Sequence, residues 1–243
     1  MNAQEPKEFK EVLGYLEGKE KIVLSGCGGC ATIFHTGGID DLDRMETKLE
    51  AEGKHVIGKI GMPLAVFACY LPMSGPLYEE HRDVLEEADA ILSQSCGDGL
   101  QAMREYLEEE MGIVKPMYPA TDALGFSSGG PSEFQEECQA CGQCELGHTV
   151  GLCPLVHCPK GLLNGPCGGV REDGKCEVDS DKDCVWVKIY ERMEKLSQLE
   201  EFLDNMDPHD WSKQTRPRQL EVEPIDLKKE LAGTKKAIES MGI

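Results

Sequence analysis

The sequence predicts an α/β fold: a small doubly wound parallel sheet at the N-terminus, an irregular cysteine-rich domain, and a C-terminal helix and tail. Short apolar runs alternate with charged amphipathic segments up to about residue 130. The next fifty residues are dense in Cys, Gly and Pro and show no periodic pattern, and an amphipathic pattern resumes at residue 185. We therefore expect three parts, spanning residues 1–130, 131–184 and 185–243.

Strands and helices alternate in the first part, as in a parallel sheet with right-handed crossovers. Leu42, Met45 and Leu49 stand at helical spacing, and Gly53 is a helix stop signal. The predicted strands are 21–27, 55–61, 89–96 and 113–118, and the predicted helices are 38–53, 76–88 and 98–111.

The other two parts follow a Gly/Ser/Pro stretch at residues 125–133, "GFSSGGPSE", which predicts a linker. The cysteine-rich part cannot bury enough apolar surface to fold unaided, so we expect metal to hold it together. A helix is expected over residues 185–206. The tail after it is expected to be either extended and ordered against a partner, or simply disordered.

Composition excludes several classes of function. The formal net charge of −20 disfavours nucleic acid and anionic membrane surfaces as partners. No apolar run approaches the roughly 20 residues of a membrane span, and "MNAQEPKEFK" has no apolar signal region. We therefore expect a cytoplasmic, reducing environment, in which the twelve cysteines serve metal or redox chemistry rather than six disulfides.

Four cysteines follow the ends of the first three predicted strands. Cys27 and Cys30 come after the first strand, Cys69 after the second, and Cys96 ends the third. Because the carboxyl ends of parallel strands share one edge of a sheet, we expect these thiols to meet there.

Three chemistries compete for this group. The motif G-x-G-x-x-A at residues 26–31 resembles a dinucleotide fingerprint, but the second strand ends without the required carboxylate. A thioredoxin-like dithiol would use only Cys27 and Cys30. A four-thiolate site for zinc or a [4Fe–4S] cluster uses all four cysteines. The surrounding glycines favour the cluster, since they let the backbone approach a bulky inorganic core.

The cysteine-rich part carries eight further cysteines, enough ligands for two [4Fe–4S] clusters or two zinc sites. They begin with a C-x₂-C-x₂-C run, typical of bacterial ferredoxins, and two of them precede proline. The third cysteine of the run favours iron, because zinc ribbons typically use pairs; His148 and His157 are possible substitute ligands. The eight are Cys138, Cys141, Cys144, Cys153, Cys158, Cys167, Cys176 and Cys184.

The segments "CQACGQCELG" and "HCPKGLLNGPCGG" resemble the cysteine-rich domain associated with methylenetetrahydrofolate reductases. In anaerobes this domain also occurs in a separate small subunit, the MetV type. The chain length and the order of an α/β part before a cysteine-rich part are similar to that subunit, over most of residues 1–206.

The resemblance implies a non-catalytic subunit of an oxidoreductase complex, with all twelve cysteines as cluster ligands and no catalytic or nucleotide-binding residue of its own. It implies a flavin-containing catalytic partner that reduces 5,10-methylenetetrahydrofolate to 5-methyltetrahydrofolate in the Wood–Ljungdahl pathway, with flavin on that partner only. Up to three [4Fe–4S] clusters would pass electrons to the flavin from ferredoxin or from NADH- or hydrogen-linked subunits. The family's cysteine-rich part is often described as zinc-binding. The alternative is therefore a zinc-stapled subunit that docks on and stabilises the flavoprotein.

Overall fold

A computed structural model describes residues 1–130, 132–202 and 207–241 of the chain. Two compact units are present: one comprises Met1–Ala140 and Cys144–Asp207, the other Cys141–Gln143 and Pro208–Ile243. The described strands are β1 (Asn2–Pro6), β2 (Lys21–Ser25), β3 (His55–Ile60), β4 (Ala90–Ser93), β5 (Met117–Pro119), β6 (Thr121–Gly129) and β7 (Phe134–Cys138).

The predicted parallel sheet is confirmed, with the strand order β3-β2-β4-β5. Its central strands β2 and β4 are almost wholly apolar and buried, as expected for a sheet covered on both faces. Alternate residues of β2 face two separate apolar cores: Val23 belongs to one, and Ile22 and Leu24 belong to the other. The connection from β2 leads to β3 on one side of β2, and the connection from β3 leads to β4 on the other side. The boundary between β2 and β4 is therefore the topological switch point of this parallel sheet.

Helices cover this sheet, close to where the sequence predicts them. The predicted helix 76–88 begins earlier, at Leu71, and His81 divides it in two. In chain order the helices of the first unit are α1 (Phe9–Tyr15), α2 (Cys30–Ile33), α3 (Ile39–Ala51), α4 (Leu71–Glu80), α5 (Arg82–Glu87), α6 (Gly97–Glu109), α7 (Pro154–His157), α8 (Val185–Leu196) and α9 (Leu199–Phe202).

A second sheet occupies most of the predicted linker, so the linker prediction is wrong for residues 125–129. Strand β6 pairs antiparallel with β1 on one side and with β7 on the other. The Gly- and Ser-rich composition conceals a strand because the pairing partner, β1, lies more than 100 residues away in sequence. Gly125 and Gly129 have positive φ values, and Gly125 lies at the irregular register between β6 and β1.

The cysteine-rich part contains little regular structure, as its composition predicts. Its order comes from the short helix α7, from a single antiparallel bridge between Lys175 and Asp183, and from a small core on α8. Helix α8 ends where Ser197 takes a left-handed conformation, and α9 follows. The last residues of the predicted helix, 203–206, lie outside the described residues.

The second unit holds a 3₁₀ turn at Trp211–Gln214 and helix α10 (Leu227–Met241). The tail is therefore helical over its last described residues, where an extended or disordered segment was predicted. Among the helices in the described part of the chain, none is long and apolar enough to cross a membrane.

Candidate metal centres

The loops after β2, β3 and β4 contact one another at the carboxyl edge of the parallel sheet. The Gly28 amide donates to the Val66 carbonyl at 2.9 Å, and the Ala65 amide donates to the Gly28 carbonyl at 2.8 Å. These two bonds join the loop that carries Cys27 to the loop that carries Cys69. The predicted convergence of the cysteine-bearing loops is therefore present in the backbone.

Glycines make these loop contacts sterically possible. A Cβ built on Gly28 would lie 1.8 Å from the Pro63 carbonyl oxygen, and one built on Gly37 would lie 1.7 Å from the Gln94 carbonyl oxygen. At the start of α6, a Cβ on Gly99 would lie 3.0 Å from the Cβ of Ala68. Side chains at the first two positions would push the loops apart, so both positions require glycine.

Three of the four thiols of this first site interact electrostatically. Although Cys69 is exposed as a residue, partial desolvation of its thiol raises the pKa, and the neighbouring Cys96 and Cys27 thiols raise it further. Burial also raises the pKa of Cys96, against backbone N–H groups at the start of α6 that lower it. Bringing these thiols together as thiolates is unfavourable without a positive charge, which a metal centre supplies.

The fourth thiol, Cys30, is the first residue of α2 and meets the N-terminal strand. The backbone N–H of Asn2 donates to its Sγ at 3.3 Å. N–H···S bonds of this kind stabilise thiolates and tune the potentials of iron–sulfur clusters. The sequence gives no signal for Asn2, because the contact depends on the pairing of β1 with β6.

The first site fits a thiolate-bound cluster in its donor set and its backbone. It offers four free thiols, with Cys27 buried, Cys30 and Cys96 half-buried and Cys69 exposed. Over the described residues, no three His, Cys, Asp or Glu side chains are grouped so as to hold a metal ion. Four thiolates are the ligand set that a [4Fe–4S] cluster takes.

Four of the eight later cysteines line one pocket: Cys158, Cys167, Cys176 and Cys184. The backbone N–H of Gly169 donates to the Cys167 thiol and, with the nearby Lys160 ammonium, lowers its pKa. A lowered pKa favours the thiolate, which is the form that binds metal. The pocket wall also includes Val170, Val185 and the buried Trp186.

The other four late cysteines lie outside this wall. Cys138 ends β7, Cys153 precedes α7, Cys144 is exposed in the first unit, and Cys141 belongs to the second unit. His157, a possible substitute ligand, has both ring nitrogens engaged: Nδ1 with Gln135 at 3.0 Å and Nε2 with Glu137 at 2.8 Å. It is therefore not positioned as a ligand.

Residues 119–212 match a family described as "Methylene-tetrahydrofolate reductase C terminal". This segment is related to methylenetetrahydrofolate reductases. The match includes all eight later cysteines and ends at residue 212, within the first residues of the tail, and it does not reach the four cysteines of the first site. Searches of curated proteins and of solved structures found no match.

The reductase-related segment begins inside the parallel sheet, since residue 119 is the last residue of β5. It then runs through β6 and β7, which tie it to the N-terminal strand. The fold does not support the dinucleotide-binding alternative. The helix that follows the glycine loop, α2, has only four residues, whereas a dinucleotide-binding loop leads into a longer helix.

Proposed function

We propose that this chain is an iron–sulfur electron-transfer subunit of a methylenetetrahydrofolate reductase complex, passing electrons to the flavin of a catalytic partner. Cys27, Cys30, Cys69 and Cys96 are proposed to hold one [4Fe–4S] cluster, and the eight later cysteines to hold further centres. When bound, such clusters supply reversible one-electron transfer. The chain's own residues hold the clusters and hydrogen-bond to their thiolates.

The observation that carries this proposal is the short path between the first site and the later cysteines. Asn2, which donates to the Cys30 thiol, pairs with Phe126 in β6, and Phe126 pairs with Cys138 in β7. Neighbouring strands lie about 4.8 Å apart, so Asn2 and Cys138 are separated by about 10 Å. Two centres at these positions would be close enough for direct electron transfer.

The relation to methylenetetrahydrofolate reductases supports the choice of partner. We propose a flavin-containing catalytic subunit as the electron acceptor. The proposed donor is a ferredoxin or a further NADH- or hydrogen-linked subunit. The reaction served would be the reduction of 5,10-methylenetetrahydrofolate in the Wood–Ljungdahl pathway.

Anaerobic purification tests the proposal. We expect brown protein with about twelve iron atoms per chain if all three cluster sites are filled, and low-temperature EPR signals after reduction. Co-purification of a flavoprotein, and reduction of its flavin only in the presence of this chain, would establish the direction of transfer. Colourless protein without iron would contradict the proposal.

A second candidate function is a zinc-stapled subunit that docks on the flavoprotein and stabilises it. The observation that favours it is the pocket lined by four cysteines in a segment with little regular structure, as in structural zinc domains. This candidate predicts stoichiometric zinc, no EPR signal on reduction, and unfolding of the segment by a chelator. Zinc at that pocket beside iron at the first site is compatible with electron transfer.

A further inference from the structure

We infer that Cys158, Cys167, Cys176 and Cys184 bind one metal centre together, and that Cys153 is not one of its ligands. The inference rests on the proposed function in assigning these cysteines to metal, and it adds which of them share a centre. Sequence spacing leaves this open, because Cys153 and Cys158 are both followed by proline and either could complete a ferredoxin-type set.

Two of the four are brought together by a hairpin. Lys175 and Asp183 form an antiparallel bridge, with an ion pair between their side chains at 2.6 Å. The Cys176 amide donates to the Lys182 carbonyl and the Cys184 amide donates to the Gly174 carbonyl, each at 2.9 Å. Cys176 and Cys184 therefore lie on opposite sides of one short loop that backbone hydrogen bonds hold together.

The other two are tied to this hairpin by polar contacts. Lys160, two residues after Cys158, forms an ion pair with Glu177, which follows Cys176. As a neutral thiol, Cys167 donates to the same Glu177 carboxylate at 3.5 Å. One carboxylate thus joins the three segments that carry Cys158, Cys167 and Cys176.

A buried tryptophan closes the pocket from the side of α8. The indole Nε1 of Trp186 donates to the Leu162 carbonyl at 3.0 Å. This bond connects the start of α8, which directly follows Cys184, to the segment that follows Cys158. Hydrogen bonds and ion pairs therefore connect all four cysteine-bearing segments around one pocket. Four thiolates in a partly apolar pocket suit zinc or a [4Fe–4S] cluster.

Helix α7 separates Cys153 from this group. Cys153 precedes the helix and Cys158 follows it, so the two lie about 8 Å apart along the helix axis. The helix is held against β7 by the contacts of His157 with Gln135 and Glu137. The two Cys-Pro pairs thus lie at opposite ends of a fixed element, and Cys153 is absent from the pocket wall.

The experiment uses the metal-loaded wild-type chain under anaerobic conditions. A chelator is added in steps, and exposed thiols are alkylated and identified by peptide mass spectrometry. We expect Cys158, Cys167, Cys176 and Cys184 to lose protection at a common rate. Cys153 should follow a different rate. Co-labelling of Cys153 with three of the four, while the remaining one labels separately, would overturn the inference.

Metal content of variants provides an independent measurement. Cys167→Ser and Cys176→Ser should each remove the metal of one centre, and the double variant should remove no more than either alone. Combining Cys167→Ser with Cys153→Ser should remove the metal of two centres. Additive loss in the first pair, or no added loss in the second, would contradict the grouping.

The outcomes separate the grouping from the proposed function. Shared protection of the four thiols by zinc alone would uphold the grouping and contradict iron at this pocket. Iron-loaded protein with Cys153 in the same protected set would contradict the grouping and leave electron transfer standing. Protein whose thiols are all unprotected by any metal would overturn both.

Discussion

The Gly28→Ala substitution tests whether close contact between two loops assembles the first site. The added Cβ would lie 1.8 Å from the Pro63 carbonyl oxygen, about 1.5 Å inside ordinary contact distance. The three nearest atoms, the carbonyl O and C of Pro63 and the carbonyl oxygen of Met62, all belong to the backbone, so no side-chain rotation relieves the overlap. The loop carrying Cys69 must therefore move away from the loop carrying Cys27.

The expected cost follows from what that movement breaks. It removes the bonds from the Gly28 amide to Val66 and from the Ala65 amide to Gly28, each contributing about 1 kcal/mol. Overpacking adds roughly 1–3 kcal/mol. We expect a loss of about 3–5 kcal/mol in the free energy of unfolding, measured by urea denaturation followed by circular dichroism, together with loss of the metal of the first site.

Gly97→Ala is the matched control. Gly97 directly follows Cys96, but a Cβ there meets nothing closer than the Gln101 side chain at 3.9 Å. Its unfolding free energy should stay within about 0.5 kcal/mol of wild type, with metal content unchanged. Equal behaviour of the two variants would refute the argument that loop contact at Gly28 assembles the site.

Three further predictions concern single side chains. The Tyr78 hydroxyl is buried in the same apolar core as Cys27, without a hydrogen-bond partner among the described residues, so Tyr78→Phe should stabilise the metal-free chain by about 1 kcal/mol in urea unfolding; a loss of stability would contradict this. The Asp89 carboxylate accepts from the backbone N–H groups of Lys21 and Glu20 at 2.9 and 3.0 Å, which holds its pKa below 3.8. The stabilisation of the folded state by the ionised Asp89 carboxylate is fully present above pH 3.8 and is lost as the pH falls through the lowered folded-state pKa. Asp89→Ala should therefore lower the urea midpoint at pH 7, and the difference from wild type should shrink below about pH 4; a constant difference down to pH 3 would refute it. Trp186 lines the four-cysteine pocket, and the only other tryptophan is Trp211, so in a Trp211→Phe variant removal of metal by a chelator should shift the fluorescence of Trp186 to longer wavelength, whereas an unchanged spectrum would show that the pocket holds no metal.

The parallel sheet could be predicted because its signals are local. Each strand is a short apolar run, and each helix that follows has its own periodicity, as with Leu42, Met45 and Leu49. The second sheet could not be predicted in this way. Strand β6 is partly exposed and rich in Gly and Ser, and β1, at the other end of the domain sequence, stabilises it by backbone pairing. Backbone pairing leaves little trace in composition.

The same distinction applies to the candidate centres. The grouping of the loops that carry Cys27, Cys69 and Cys96 follows from parallel topology alone, and the loop contacts agree with it. The grouping of Cys158 with Cys167, Cys176 and Cys184 depends on an ion pair, a bridge and an indole hydrogen bond. Contacts of this kind between irregular segments produce no periodic pattern in the sequence, so they could not be predicted from it.

The replacement of a predicted linker by a sheet bears directly on the choice between electron transfer and docking. A flexible linker would let the distance between the first site and the cysteine-rich segment vary, which a docking module tolerates and an electron-transfer chain does not. Strands β1, β6 and β7 instead fix that distance through backbone pairing. The contact between the Phe34 and Phe134 rings, at 4.7 Å between centroids, adds a second connection beside Cys30. Electron transfer slows steeply with distance, so an electron-transfer subunit requires a short, fixed distance between its metal centres. A subunit whose metal only stabilises its fold would not need that distance to be fixed.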